Sequence, residues 1–157
     1  MSGDCVVIGI GNDHRRDDGV GPAVAAVLAG QDLPGVRVLT CPAEPTAVLD
    51  SWEDARVAIL VDAAAGIPAG EVRRCSPDDV DAAARVSSHD LGLRQTCELG
   101  RALGRAPDVV VLVAVGVADT GHGVGLSGAV AAALPEAVRT VLAIVAEQSE
   151  KAAHQQP

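Results

Sequence analysis

At 157 residues the chain has the length of one domain, and a chain of this size buries roughly two-thirds of the surface its unfolded form exposes, so a full core forms without metals or disulfides. With Trp52 the sole aromatic residue and Ala, Val and Leu supplying most of the 48% hydrophobic fraction, that core is aliphatic, and stacking of bases on aromatic side chains is excluded. A formal charge of −9 and a single lysine, Lys151, argue against nucleic acid, because such a surface repels a phosphate backbone.

The first apolar run, Cys5-Val6-Val7-Ile8, reads as a buried strand. It passes through Gly9-Ile10-Gly11-Asn12 and a polar loop, containing Asp17 and Asp18, into a helix with Val20, Val24, Val27 and Leu28 on one face. Open α/β sheets bind ligands where strands end and helices begin, so these two carboxylates are expected to be presented to a ligand rather than buried. Adjacent residues at a helix start point in different directions, so one is expected to face the site and the other to cap the helix. A turn at Leu33-Pro34-Gly35 precedes a strand at Val36-Arg37-Val38-Leu39, and Pro45 through Trp52 forms a short helix. The continuous run Val57-Ala58-Ile59-Leu60-Val61 is a strand covered on both faces, ending at Asp62 before a loop at Ala63-Ala64-Ala65-Gly66.

Glu71-Val72-Arg73-Arg74 reads as a short edge strand, and a polar segment leads on to Ser87-Ser88-His89-Asp90. Ser88 is placed to cap a helix with Leu91, Gln95, Leu99 and Leu103 on one stripe, ending near Gly104 with Pro107 beyond. His89 then falls in its first turn. The last strand is Val109 to Val115, followed by a glycine-rich loop from Gly116 to Gly125 and a final helix with Ser127 as its cap and Pro135 as a kink or restart. Residues 151–157 form a small polar tail expected to fray.

Strands alternating with helices predict an α/β fold, a three-layer αβα sandwich with a mostly parallel, twisted sheet of about five strands, built as one domain over residues 1–150. In a 2-1-3 strand order the carboxyl ends of the first and third strands flank the crevice where the order reverses, and Asp18 and Asp62 face each other. Cys5, Cys41, Cys75 and Cys97 form no Cys-x-x-Cys pair and are expected to be reduced structural thiols. The N-terminus is polar and no apolar run approaches the ~20 residues of a membrane span, so a cytoplasmic protein without a membrane partner is expected.

Two carboxylates and His89 from a long loop make an oxygen, oxygen, nitrogen donor set that suits a borderline divalent metal and leaves coordination positions open to substrate. Spacing alone favours Asp18 and Asp62 as chance strand-end residues or helix caps, and His89 as a helix-start residue bonded to a carbonyl, over their reading as ligands. His14 and His122 read as solvated loop residues. The third glycine of a dinucleotide fingerprint beginning at Gly9-x-Gly11 would fall at His14, no Gly-Lys-Ser/Thr follows, and Ser127 lacks the Gly-x-Ser-x-Gly setting of a hydrolase nucleophile.

Taken in order, Gly9-Ile10-Gly11-Asn12 through Asp17-Asp18-Gly19-Val20-Gly21, then Leu60-Val61-Asp62-Ala63, then Ser88-His89 resemble the hydrogenase maturation endopeptidases. The resemblance continues through Leu99 to Pro107, Val109 to Val115 and Gly125-Leu126-Ser127. It implies a cytoplasmic peptidase that removes a short C-terminal extension from the precursor of a nickel-iron hydrogenase large subunit once nickel is in place. By position it implies Asp18, Asp62 and His89 as the catalytic, metal-binding residues, on a loop supported by Gly9, Gly11, Asn12, Asp17 and Gly19. The nickel is the precursor's own, and no organic cofactor is implied. Asp13-His14 departs from the family pattern, and the Gly116–Gly125 loop with His122 is a candidate substrate contact. Two rivals remain: a non-catalytic nickel-binding assembly chaperone with the same three ligands, and a nucleotide-binding α/β enzyme, for which no phosphate-cradling glycines are found. The oligomeric state is not legible.

Overall fold

The computed structural model describes residues 4–77, 85–86 and 93–155. Its strands are β1 (Cys5–Ile10), β2 (Val36–Cys41), β3 (Val57–Ala65), β4 (Val72–Cys75), β5 (Arg85–Val86) and β6 (Val109–Gly116). The helices are α1 (Val20–Ala29), α2 (Pro45–Ser51), α3 (Leu93–Ala102) and α4 (Gly128–Gln155), with a 3₁₀ turn at Arg16–Gly19 ahead of α1. The sheet runs β2-β1-β3-β6-β4, with the two-residue β5 paired to β3. β1 pairs parallel with β2 and β3, β3 pairs parallel with β6, and β4 and β5 join antiparallel. The expected mostly parallel α/β architecture with its 2-1-3 order is therefore present.

Strand alternation divides the apolar residues into two cores, one on each face of the sheet. Val7, Val57, Ile59, Val61, Val113 and Val115 pack with Val20, Val24 and Leu28 of α1 and with Val130, Ala137, Val141 and Ile144 of α4. Val6, Ile8, Ala58, Leu60 and Leu112 pack with Val48 and Leu49 of α2, Trp52, and Leu93 and Cys97 of α3. Because β1 and β3 are covered on both faces, every residue of β1 and all of β3 up to Ala64 is buried. Gly21 seats α1 on the strand ends: a Cβ there would lie 2.4 Å from the Ile10 carbonyl oxygen and 2.5 Å from that of Val61.

Several local expectations are corrected. β3 continues through Ala63-Ala64-Ala65, expected as loop, because β6 pairs with it as far as Ala64 and Gly116. Asp62 is therefore inside the strand. Val27 is exposed, lying at the edge of the stripe formed by Val20, Gly21, Val24, Ala25 and Leu28. On α3 the buried residues are Leu93, Thr96, Cys97 and Gly100, whereas Leu99 and Leu103 face outward. Spacing of four drifts about 40° per step around a helix, so the expected Gln95, Leu99 and Leu103 stripe turns away from the sheet, whereas spacings of three and four alternate along one face. Leu91 and the proposed cap Ser88 lie outside the described residues.

Pro135 sits within an unbroken α4, which continues to Gln155 and takes up most of the segment expected to fray. α4 is the one helix among the described residues long and apolar enough by length and composition to cross a membrane; here Val130, Ala133, Ala137, Val141 and Ile144 are buried in the core. None of the four cysteines is in a disulfide, and three of them are buried. Burial pushes the Cys5 thiol up to about 11, with the neighbouring Asp4 charge adding to it, so it stays a thiol at neutral pH.

Candidate active site

At the carboxyl end of β1 the chain turns at Gly11, whose φ of 144° is open to glycine and whose Cβ, if present, would lie 2.0 Å from the Asp18 carbonyl oxygen. The loop then folds back on itself. The Asn12 side-chain oxygen accepts from the His14 N–H at 2.9 Å, the Arg15 N–H donates to the Asn12 carbonyl at 3.1 Å, and the Asp18 N–H donates to the Arg15 carbonyl at 3.1 Å. This brings the Asn12 N–H within 2.9 Å of Asp18 Oδ2, so the loop orients the carboxylate through its backbone. Arg16 begins the 3₁₀ turn at φ 47°, a conformation that costs a non-glycine residue about 1–2 kcal/mol and persists only where surrounding contacts hold it.

Asp62 enters from β3, next to β1 in the sheet, on the α2 and α3 side set by alternation with Leu60 and Ala64. Its Oδ1 accepts the Ala63 N–H at 2.8 Å. Asp18 is 3% exposed and Asp62 1%, so both are buried, contrary to the expectation of carboxylates laid open to a ligand. Burial holds the Asp62 carboxyl well above the usual carboxylate range, and the nearby Asp18 charge pushes it further the same way. The structure thus brings Asp18 and Asp62 together, as the 2-1-3 order required. Among the described residues no group of three His, Cys, Asp or Glu side chains is placed to hold a metal ion. His89, the third residue of the expected set, lies outside the described residues.

Asp17 is not a cap for its own helix; the turn and α1 have no side-chain cap. Its Oδ2 accepts the Ala118 and Asp119 N–H groups, each at 2.9 Å, and the Ser127 hydroxyl at 2.8 Å, while Oδ1 accepts the Ser127 N–H at 2.6 Å. Ser127 does precede α4, and its carbonyl accepts the Ala131 N–H at 2.9 Å, but its hydroxyl is committed to Asp17. Burial alone would raise the Asp17 pKa; the donors from Ser127, Asp119 and Ala118 outweigh it and hold the group below its usual value.

Cys41 is a neighbour that sequence reading missed. It ends β2, its carbonyl accepts the Gly11 N–H at 3.2 Å, and its buried thiol, raised chiefly by burial, also feels the Asp62 charge. The one available signal was the strand order, which sets the end of β2 beside that of β1. His14 and His122 are both exposed, as expected of solvated loop residues, and the His14 carbonyl accepts the Gly123 N–H at 2.9 Å.

Residues 24–144 match the family model for HycI, a hydrogenase maturation protease. The match includes Asp62 and begins beyond Asp18. Among solved structures, the chain is similar to the hydrogenase maturating endopeptidase HybD of E. coli, with a TM-score of 0.80 and 24% identity over 94% of each chain. It is similar to the [NiFe] hydrogenase maturation protease HybD of Thermococcus kodakarensis, with a TM-score of 0.75 and 22% identity over 92% of this chain and 99% of that one. The [NiFe] hydrogenase maturation protease HycI of Thermococcus kodakarensis KOD1 is 28% identical, with a TM-score of 0.67 over 90% of this chain and 89% of that one. No curated protein sequence gives a significant match. The family match across most of the chain and the shared fold lead to one assignment: this chain belongs to the hydrogenase maturation protease family.

Proposed function

We propose that this protein is a cytoplasmic endopeptidase that removes a short C-terminal extension from the nickel-loaded precursor of a nickel-iron hydrogenase large subunit, with Asp18, Asp62 and His89 engaging the precursor's nickel. Family membership supports the peptidase. The observation that carries the site is the pair of buried carboxylates, Asp18 and Asp62, close enough that the charge of one acts on the other. Carboxylate oxygens and an imidazole nitrogen are a donor set that nickel accepts. The metal arrives as part of the substrate, so the protein has no resident cofactor in this reading.

The division of labour follows from the residues. Asp18 is oriented by the Asn12 N–H and Asp62 by the Ala63 N–H, each through one oxygen. Burial raises the Asp62 pKa, and a divalent cation brought by the substrate would favour its charged form, since metal binding releases protons from its ligands. The nickel serves as a handle that distinguishes loaded from unloaded precursor, and as a Lewis acid it would polarise a scissile carbonyl or its attacking water.

The test is to incubate the protein with nickel-loaded and nickel-free precursor and follow the precursor mass. Cleavage of the loaded form alone supports a nickel-gated peptidase; cleavage of both removes the gating. With cognate, folded partners, cleavage of neither points to an assembly chaperone. Full processing by Asp62→Asn would overturn the site assignment.

A further inference from the structure

Asp17 is wholly buried, and the reaction proposed above makes no use of it. All four of its side-chain hydrogen bonds run to Ala118, Asp119 and Ser127, in the loop between β6 and α4. The backbone reinforces them. The Asp17 N–H donates to the Asp119 carbonyl at 2.8 Å, the Arg16 N–H to the Gly123 carbonyl at 3.0 Å, and the Gly123 N–H to the His14 carbonyl at 2.9 Å. The Arg16 guanidinium lies 3.6 Å from Asp119. Residues 118–127 are thereby laid as a lip along the loop that leads into Asp18.

The lip carries an apolar residue outward. Gly123 and Gly125 adopt φ of 141° and 105°, and between them Val124 is 78% exposed, the most exposed of the large hydrophobic residues among those described. Asp18 is held by a different set of bonds, to Asn12 and Arg15. The side chains of Asp17 and Asp18 therefore draw their hydrogen bonds from different donors, although Arg15 also pairs with Gly123 of the lip.

We infer that Asp17 is a positioning residue for substrate binding: it clamps residues 118–127 into a fixed lip whose Val124 receives an apolar stretch of the precursor polypeptide next to the bond that is cut. The inference rests on the peptidase reading. A loop ordered before binding spares the complex the entropy of ordering it, which is the advantage of preorganisation. A buried carboxylate is tolerated when donors satisfy it, and here they come from the lip. Because Asp18 keeps its own anchors, loosening the lip weakens substrate binding and leaves the bond-breaking step largely intact.

Steady-state kinetics on the nickel-loaded precursor, paired with limited proteolysis of the free protein, test this. Val124→Ser should raise KM about tenfold with kcat changed by less than about threefold. Ser127→Ala should raise KM by roughly threefold to tenfold, and Ser127→Thr, which keeps the hydroxyl, should restore it. Asp17→Asn and Ser127→Ala should be cut faster than wild type within residues 117–125, a readout independent of any activity. Wild-type KM in Val124→Ser, or a loss confined to kcat in Ser127→Ala, overturns the inference while leaving the peptidase reading standing. Unchanged proteolysis in Asp17→Asn overturns the clamp. A wild-type protein that neither binds nor cleaves its cognate precursor overturns the peptidase reading and the lip's substrate role together.

Discussion

Asp17 and Asp18 are consecutive, both buried, and hydrogen-bonded to two different loops: Asp17 accepts from the loop before α4, Asp18 from the loop after β1. The 3₁₀ turn makes this possible, because successive side chains on a tight helical turn diverge by about a third of a revolution. Two identical residue types side by side thus have different duties, one structural and one facing Asp62.

Asp17→Asn should destabilise the protein by about 2–4 kcal/mol in urea unfolding at neutral pH, since an amide offers a single acceptor oxygen and turns an NH₂ toward N–H donors. Its pKa in the fold lies below the usual 3.8, so its stabilisation is present above about that pH and is lost as pH falls through the folded value. The stability gap between wild type and Asp17→Asn should therefore narrow below about pH 4. A gap that is constant through that range would contradict the assignment of the donors.

Asp62→Asn should separate stability from function. The Asp62 pKa is raised in the fold, so the native state keeps a proton that the unfolded chain releases; its contribution is complete below the usual 3.8 and declines as pH rises toward the folded value. Asparagine has nearly the shape of the protonated acid and does not titrate. The metal-free variant should match or exceed wild type at neutral pH, by roughly 0.5–2 kcal/mol, with the difference vanishing near pH 4, while precursor processing is abolished. Thermal melts across pH check the first part and the mass assay the second.

Gly21→Ala should cost about 3 kcal/mol or more, because the new methyl would press on the Ile10 and Val61 carbonyl oxygens at 2.4 and 2.5 Å and no flexible side chain is available to yield. Gly104→Ala has open space around its Cβ, and its penalty comes only from a φ of 69°. The two variants compared by chemical unfolding separate collision from backbone strain, and equal losses would argue against the close approach of α1 to the sheet.

Trp52 is the sole aromatic residue and is 1% exposed, with its indole N–H donating to the Arg105 carbonyl at 2.7 Å. The native protein should therefore show blue-shifted tryptophan emission that moves to the red in a single unfolding transition. Trp52→Phe removes the donor to a carbonyl in the loop after α3 and should cost about 1–3 kcal/mol. Solvent-exposed emission from the folded protein would be incompatible with this packing.

Much of the fold was legible because it is encoded locally. The runs at Cys5–Ile8, Val57–Val61 and Val109–Val115 are apolar without alternation, and each lies in a strand with helices on both faces. The glycines around Asp17 and Asp18 marked a tight strand-to-helix junction, and the strand order then brought Asp18 to Asp62. Less legible was the face of α3, where Thr96 and Gly100 are buried and Leu99 is not. Hydrophobicity alone could not locate it, since Gly100 earns its place by fitting against Leu49 and Trp52.

By itself the sequence determined the element types, the parallel sheet, the family resemblance and the paired carboxylates at the strand-to-helix junction after β1, all of which follow from short-range periodicity, breakers and motif order. The tertiary structure alone decided that Asp62 lies inside its strand, that the site carboxylates are buried, and that Asp17 clamps a loop. The physical reason is distance along the chain: the partners of Asp17 are 101, 102 and 110 positions away, and three of its four hydrogen bonds come from backbone N–H groups, which every residue but proline possesses and no sequence pattern marks.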